Sequence, residues 1–143
     1  MKLLNPVLFI VALSLCGEVM SDSSIVKKHQ LSKCSDKPNC VSTLDSRDQH
    51  RINPIQFTGD YINAKKKLLK ILHSLPRIKV ISNNEQYLQL TQTSLIFRFV
   101  DDIEFLFDEE KKEIHFFSMS RVGHSDFGVN RKRMENIRRI FEQ

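Results

Sequence analysis

The chain has 143 residues and a net charge of +5, with 41% hydrophobic and 27% charged residues and only 4 Gly and 4 Pro. This ordinary globular composition excludes a collagen-like, low-complexity or multi-pass membrane protein. The length predicts one domain behind a short leader, and with 10 Phe and no Trp the buried aromatic surface must come from phenylalanine. The basic charge permits an acidic partner but describes solubility rather than fold.

Residues 1–21 have the pattern of a secretory signal. A basic residue precedes an apolar run that ends at Cys16, and small residues follow up to Ser21. The run is too short for a transmembrane helix, which needs about 20 residues. We therefore expect an exported protein of the bacterial periplasm or cell envelope, cleaved after Ser21. The alternative is a lipoprotein signal with lipidation at Cys16, although Leu15 is bulky where such signals favour a small residue.

Two cysteines remain after either form of processing. Cys34 and Cys40 flank a polar, turn-prone segment, so their sulfurs can meet. An oxidising compartment favours a structural disulfide, which for so short a loop contributes about 2 kcal/mol. The pair lacks the Cys-x-x-Cys spacing of redox motifs, and too few further ligands are present for zinc. We expect no metal and no cofactor.

The first half of the mature chain divides into an arm and the start of a folded domain. Residues 22–51 are polar and predict an extended arm pinned by the disulfide, whereas 52–143 predict a single α+β domain. An edge strand is expected at 52–57. A helix then begins at Thr58-Gly59-Asp60 and ends at Pro76, with its lysines on the solvated face opposite the apolar stripe.

Four strands and a second helix complete the predicted fold. Alternating apolar residues place the strands at 77–82, 86–93, 95–107 and 113–121, and helical spacing places the final helix at about 129–141. The order of elements predicts a single antiparallel sheet of about five strands with two helices packed on one face.

The hairpin formed by the last two strands carries a carboxylate among phenylalanines. Pairing across an even-length turn aligns Phe107 with Ile114 and, further along, Asp101 with Ser120. The face that holds Asp101 also holds Phe97, Phe99, Ile103, Phe105 and Phe107. An unpaired carboxylate cannot remain there. Its candidate partners are Ser120, Arg121, Asn130 and Arg131.

The segment that follows the hairpin, residues 118–131, is the best candidate site and holds two of the four glycines. One interpretation is a buried polar network that joins the hairpin to the last helix, with Asp126 or Ser125 as the helix cap. The other is an anion site formed by the helix amides with Arg121 and Arg131. The candidate ligand-binding or structural residues are Asp101, Ser118, Ser120, Arg121, Ser125, Asp126, Asn130 and Arg131.

No catalytic motif accompanies these residues. The chain lacks Gly-Lys-Ser/Thr, His-Glu-x-x-His and Gly-x-Ser-x-Gly. We therefore expect an exported, non-enzymatic binding or accessory module, whose partner is an anionic small molecule or another envelope protein. We expect no nucleic-acid binding, and membrane contact only through a lipid anchor. The alternative is a small hydrolase or transferase that acts on an anionic small molecule through a pocket of Asp101, Arg121 and Asp126.

Several segments also carry a family resemblance. The longest reads Ser118-x-Ser120-Arg121-Val122-Gly123-x-Ser125-Asp126-x-Gly128-Val129-Asn130-Arg131-Lys132-Arg133. Shorter ones are Cys34 with Lys37-Pro38-Asn39-Cys40-Val41-Ser42, Asn53-Pro54 and Val100-Asp101-Asp102-Ile103-Glu104-Phe105. Over about residues 31–141 the chain resembles the domain of unknown function 1499 family of bacteria and plants. The resemblance implies one folding unit and no known activity.

The chain departs from the pattern of that family at two positions. His124 stands where the family favours Tyr, and Phe117 stands where it favours Arg. The predicted register places Phe117 on the outer face opposite Glu104. The replacement should therefore remove a surface ion pair rather than the partner of Asp101.

Overall fold

The computed structural model describes residues 29–143, so the predicted leader and Cys16 lie outside the described residues. The strands are β1 (Cys40–Ser42), β2 (Ile55–Gln56), β3 (Ile78–Asn83), β4 (Tyr87–Thr93), β5 (Val100–Asp108) and β6 (Glu113–Ser120). The helices are α1 (Tyr61–Ser74) between β2 and β3, and α2 (Val129–Phe141) after β6. Neither described helix is long and apolar enough to cross a membrane.

The described strands form one six-stranded antiparallel sheet in the order β1-β6-β5-β4-β3, with β2 also paired to β6. This confirms the α+β fold predicted from the sequence. The sixth strand comes from the arm, where Cys40–Ser42 pairs with β6 instead of remaining merely extended. Both helices pack on one face, where Leu68 and Met134 join the same core as Phe105.

Helix α1 begins and ends where the sequence predicts. The carboxylate of Asp60 accepts a hydrogen bond from the backbone N–H of Asn63 at 2.8 Å, which satisfies an amide of the first turn. At the other end Leu75 is extended, as expected before Pro76. The buried side chains of α1 recur at helical spacing and direct its apolar face to the sheet.

The predicted hairpin register is confirmed, but the predicted start of its first strand is wrong. Phe107 pairs with Ile114 and Asp101 with Ser120, as expected. Strand β5 begins only at Val100, and residues 94–99 form a loop in which Phe97 is 72% exposed. The N–H of Ser94 donates to the carbonyl of Phe99 at 2.8 Å, and the N–H of Phe99 donates to the Ser94 hydroxyl at 2.9 Å. These bonds close the loop and replace strand pairing.

The N-terminal arm covers the second face of the sheet. The Cys34–Cys40 disulfide is present. Its two cysteines pack with Leu31, Tyr87 and Phe117 in an apolar cluster separate from the main core. Phe117 is only 1% exposed, so the prediction of a surface position is wrong. Alternation along β6 placed this side chain on the correct face, but the arm excludes that face from solvent.

Glu104, which lies opposite Phe117 on this face of the sheet, is the acidic residue that binds the arm. Its side chain is buried and accepts hydrogen bonds from the backbone N–H of Ser32 at 2.8 Å and from the Ser32 hydroxyl at 2.6 Å. The two residues are 72 positions apart. A buried carboxylate needs such donors. Glu104 therefore anchors the arm across the sheet, and no surface ion pair forms at this position.

Alkaline pH should weaken this face of the protein through Tyr87. Burial and the nearby charge of Glu104 raise the pKa of Tyr87 to about 12. The unfolded chain ionises near pH 10, so this contribution to stability is complete below pH 10 and falls as the pH rises toward 12. We expect urea unfolding to show that the wild type loses about 2 kcal/mol more than Tyr87→Phe between pH 9 and pH 11.5. Equal losses in both proteins would contradict the assignment.

Candidate functional site

The polar end of the core face is organised around an ion pair. A carboxylate oxygen of Asp101 contacts the guanidinium of Arg133 in α2. The two side chains are only 8% and 11% exposed, so the pair is largely removed from water. Arg133 was not among the predicted partners. Helical spacing could have predicted that Arg133 faces the sheet, because Asn130, Arg133 and Ile137 lie on one face of α2.

Asn130 connects this ion pair to the rest of the site. Its Oδ1 accepts from the Ser118 hydroxyl at 2.5 Å and from Nη1 of Arg133 at 2.7 Å. Its Nδ2 faces three acceptors: Asp126 Oδ2 at 2.7 Å, Ser120 Oγ at 3.1 Å and the Asn39 carbonyl at 3.1 Å. The polar cluster is defined as Asn39, Asp101, Ser118, Ser120, Asp126, Asn130 and Arg133. It joins the arm, the hairpin and α2.

Asp126 lies two residues before Gly128, the N-cap residue of α2, and its carboxylate caps the helix. One carboxylate oxygen accepts from the N–H of Gly128 at 3.0 Å, and the other accepts from the N–H of Asn130 at 2.7 Å. Gly128 has a φ of 77°, a left-handed conformation that glycine adopts at little cost. Ser125 supports the same turn, because its hydroxyl accepts from the N–H of Phe127 at 3.2 Å.

Asn39 extends the polar cluster beneath the loop between β6 and α2. Its Nδ2 donates to the carbonyls of Ser120 at 3.1 Å and Gly123 at 3.3 Å. Its Oδ1 is buried and accepts no hydrogen bond from the described residues. The start of β1 is thus tied directly to the segment that the sequence marked as the candidate site.

Two predicted arginines lie outside the polar cluster. Arg121 forms a two-pronged ion pair with Asp102, with both N–O distances 2.8 Å, on the exposed surface. Arg131 donates to the carbonyls of Arg51 at 2.9 Å and Gln49 at 3.0 Å, so it fastens the arm to α2. Of the predicted trio, Asp101 and Asp126 therefore belong to the polar cluster, whereas Arg121 lies outside it.

A second feature of this end of the molecule is apolar. The loops 94–99 and 121–128 leave the same end of the sheet, since Asp101 pairs with Ser120 and the N–H of Arg121 donates to the Val100 carbonyl at 3.0 Å. The exposed large apolar side chains on these loops and at the start of α2 define the apolar end. They are Leu95, Ile96, Phe97, Phe99, Val122, Phe127 and Val129. This surface was not predicted, because strand alternation places Phe97 and Phe99 on the same face as Phe105.

A groove of about 970 Å³ lies elsewhere, near the arm and the turn between β5 and β6. Its lining includes Tyr87, Asp108 and His115. Within residues 29–143 no three His, Cys, Asp or Glu side chains are grouped to hold a metal ion. The groove does not include any residue of the polar cluster.

Together these features define a small α+β domain whose disulfide-closed arm, sheet and C-terminal helix meet at one polar cluster. The chain belongs to the DUF1499 family of proteins of unknown function, whose model matches residues 30–141. The match includes the arm as well as both helices, so the family unit is the whole described fold. Searches of curated proteins and of solved structures gave no significant match.

Proposed function

We propose that this chain is an exported, non-enzymatic binding module of the bacterial cell envelope, and that it binds through the apolar end. The observation that carries the proposal is the concentration of large exposed apolar side chains on two adjacent loops, including Phe97 at 72% and Phe127 at 89% exposure. Contiguous exposed apolar surface usually marks an interaction site. Export is supported by the signal pattern of residues 1–21 and by the disulfide.

The polar cluster has the contacts of a structural network and not those of a catalytic site. Asp101 is engaged by Arg133, and the carboxylate of Asp126 accepts from two backbone amides of the α2 start. Both carboxylates are thus held by donors within the fold, and neither lines the groove of about 970 Å³. The geometry therefore does not favour the alternative of a hydrolase or transferase acting through Asp101, Arg121 and Asp126. That alternative requires turnover of an anionic substrate that Asp101→Asn abolishes.

Site-specific photo-crosslinking in cells tests the proposal. The full chain would carry benzoylphenylalanine at position 97 in one variant and at position 62 in another. Ile62 is a matched control, because it is 52% exposed but lies in the first turn of α1, beside the opposite end of the sheet. We expect adducts to an envelope protein or lipid at position 97 and none at position 62. Equal adduct formation at both positions would contradict binding through the apolar end. A cytoplasmic chain with reduced cysteines would contradict export.

A further inference from the structure

Building on the proposed function, we infer that the apolar end docks onto an anionic phospholipid bilayer. Its side chains lie on two surface loops and at the first residue of α2, and each is at least 48% exposed. Exposed Leu, Ile and Phe side chains can enter the boundary between lipid headgroups and acyl chains.

The loop 94–99 holds its shape without using its apolar side chains. The two hydrogen bonds between Ser94 and Phe99 fix its base, and Arg98, next to Phe99, adopts a φ of 56°. The rings of Phe97 and Phe99 stack with centroids 5.5 Å apart and remain exposed. The loop thus presents its aromatic side chains already ordered, which lowers the entropic cost of insertion.

Charge supports an anionic rather than a neutral membrane. Lys37, Arg77 and Arg98 lie on turns at the same end as the apolar loops, and within residues 29–143 none of them forms an ion pair. The nearby carboxylates have partners of their own, since Asp36 pairs with Arg47, Asp102 pairs with Arg121 and Asp126 caps α2. Unpaired cations next to inserted apolar side chains bind anionic headgroups, each contributing about fivefold in affinity.

The turn at the opposite end of the sheet is acidic. The turn at residues 108–113 carries four carboxylates against two lysines, and those lysines pair with Asp108 and Glu109. Lys65, Lys66 and Lys67 of α1 lie near this acidic turn, because the N–H of Tyr61 at the start of α1 donates to Glu109. The orientation on the membrane is therefore set by the position of the apolar loops and the cations beside them, not by repulsion of the opposite end.

Tryptophan fluorescence tests the inference directly, because the chain contains no tryptophan. Phe97→Trp and Ile62→Trp in the full chain would be mixed with phosphatidylglycerol-containing vesicles and with neutral phosphatidylcholine vesicles. We expect the emission of Phe97→Trp to shift to the blue by about 10 nm or more on anionic vesicles, as for burial of an aromatic side chain in the bilayer interface. Brominated lipid should quench it, and Ile62→Trp should respond to neither.

Two further variants separate the apolar and the electrostatic contributions. In the Phe97→Trp background, Phe127→Ser should lower the vesicle partition coefficient about tenfold. Arg98→Gln should lower it about fivefold and weaken its dependence on salt. Because these positions are exposed, the melting temperature of each variant should match that of its background.

The outcomes distinguish this inference from the proposed function. A protein adduct at position 97 in cells, without insertion into vesicles, would overturn the lipid inference and leave the binding module intact. A blue shift that depends on protein concentration alone would show a second copy of the chain on this surface and would also overturn it. Equal insertion into neutral and anionic vesicles would contradict the electrostatic part. Absence of both adducts and insertion would remove both proposals.

Discussion

Arg133→Met is expected to lower the free energy of unfolding by about 3–5 kcal/mol at pH 7. The substitution keeps an unbranched side chain but removes the guanidinium that contacts Asp101. It also removes a donor to Oδ1 of Asn130. A carboxylate buried among apolar side chains without its counterion is costly. Urea unfolding followed by circular dichroism measures the change.

Two controls identify the buried pair as the cause. Adding Asp101→Asn to Arg133→Met should recover part of the lost stability, because a neutral amide is cheaper to bury than a lone carboxylate. Arg121→Met, in contrast, breaks only the exposed pair with Asp102 and should lower stability far less, because water and salt screen a surface pair. Equal effects of the two arginine substitutions would show that the polar cluster does not depend on the Asp101–Arg133 pair.

Phe105→Ala is expected to lower the free energy of unfolding by about 3–5 kcal/mol. Phe105 is fully buried, and its ring lies 6.2 Å from that of Phe116. Truncation leaves a cavity at the centre of the sheet, where the hairpin meets both helices. The same substitution at Phe127, which is exposed, should change stability by no more than about 0.5 kcal/mol. Parallel urea titrations of the two variants and the wild type make the comparison.

The contrast between these phenylalanines bears on function as well as on stability. If Phe127→Ala leaves the fold unchanged, the ring at this position serves something other than the core of the monomer. If it destabilises the protein as strongly as Phe105→Ala, then Phe127 packs inside the fold in solution. In that case the apolar end loses its role as a free binding surface.

The hairpin shows what local sequence rules can predict. Strict alternation and the even length of its turn specify which side chains face each other, so the pairing of Phe107 with Ile114 follows from residue spacing alone. The same alternation continues through Phe97, where it misleads. Hydrogen bonds between Ser94 and Phe99 end the strand pairing there, and no periodic pattern signals them.

The candidate site was predicted less completely because its partners are distant in sequence. Asp126 and Ser125 were found through their position before a helix. Arg133 was missed because its contact with Asp101 depends on how α2 is rotated about its own axis against the sheet. The number of residues between β6 and α2 does not specify that rotation. Phe117 was placed on the correct face, yet its burial depends on an arm that begins more than 70 residues earlier.

The docking of the arm has a consequence for the order in which the chain can fold. The arm is synthesised first, but Ser32 binds a residue 72 positions later, and the Asn39 carbonyl accepts from a residue 91 positions later. The Cys34–Cys40 bond spans only six positions and can close at any stage. A nascent chain that lacks β6 and α2 therefore carries a closed disulfide loop without the strand that pairs with β1 and without the Asn130 side chain. The arm can complete its docking only after the first turn of α2 has left the ribosome.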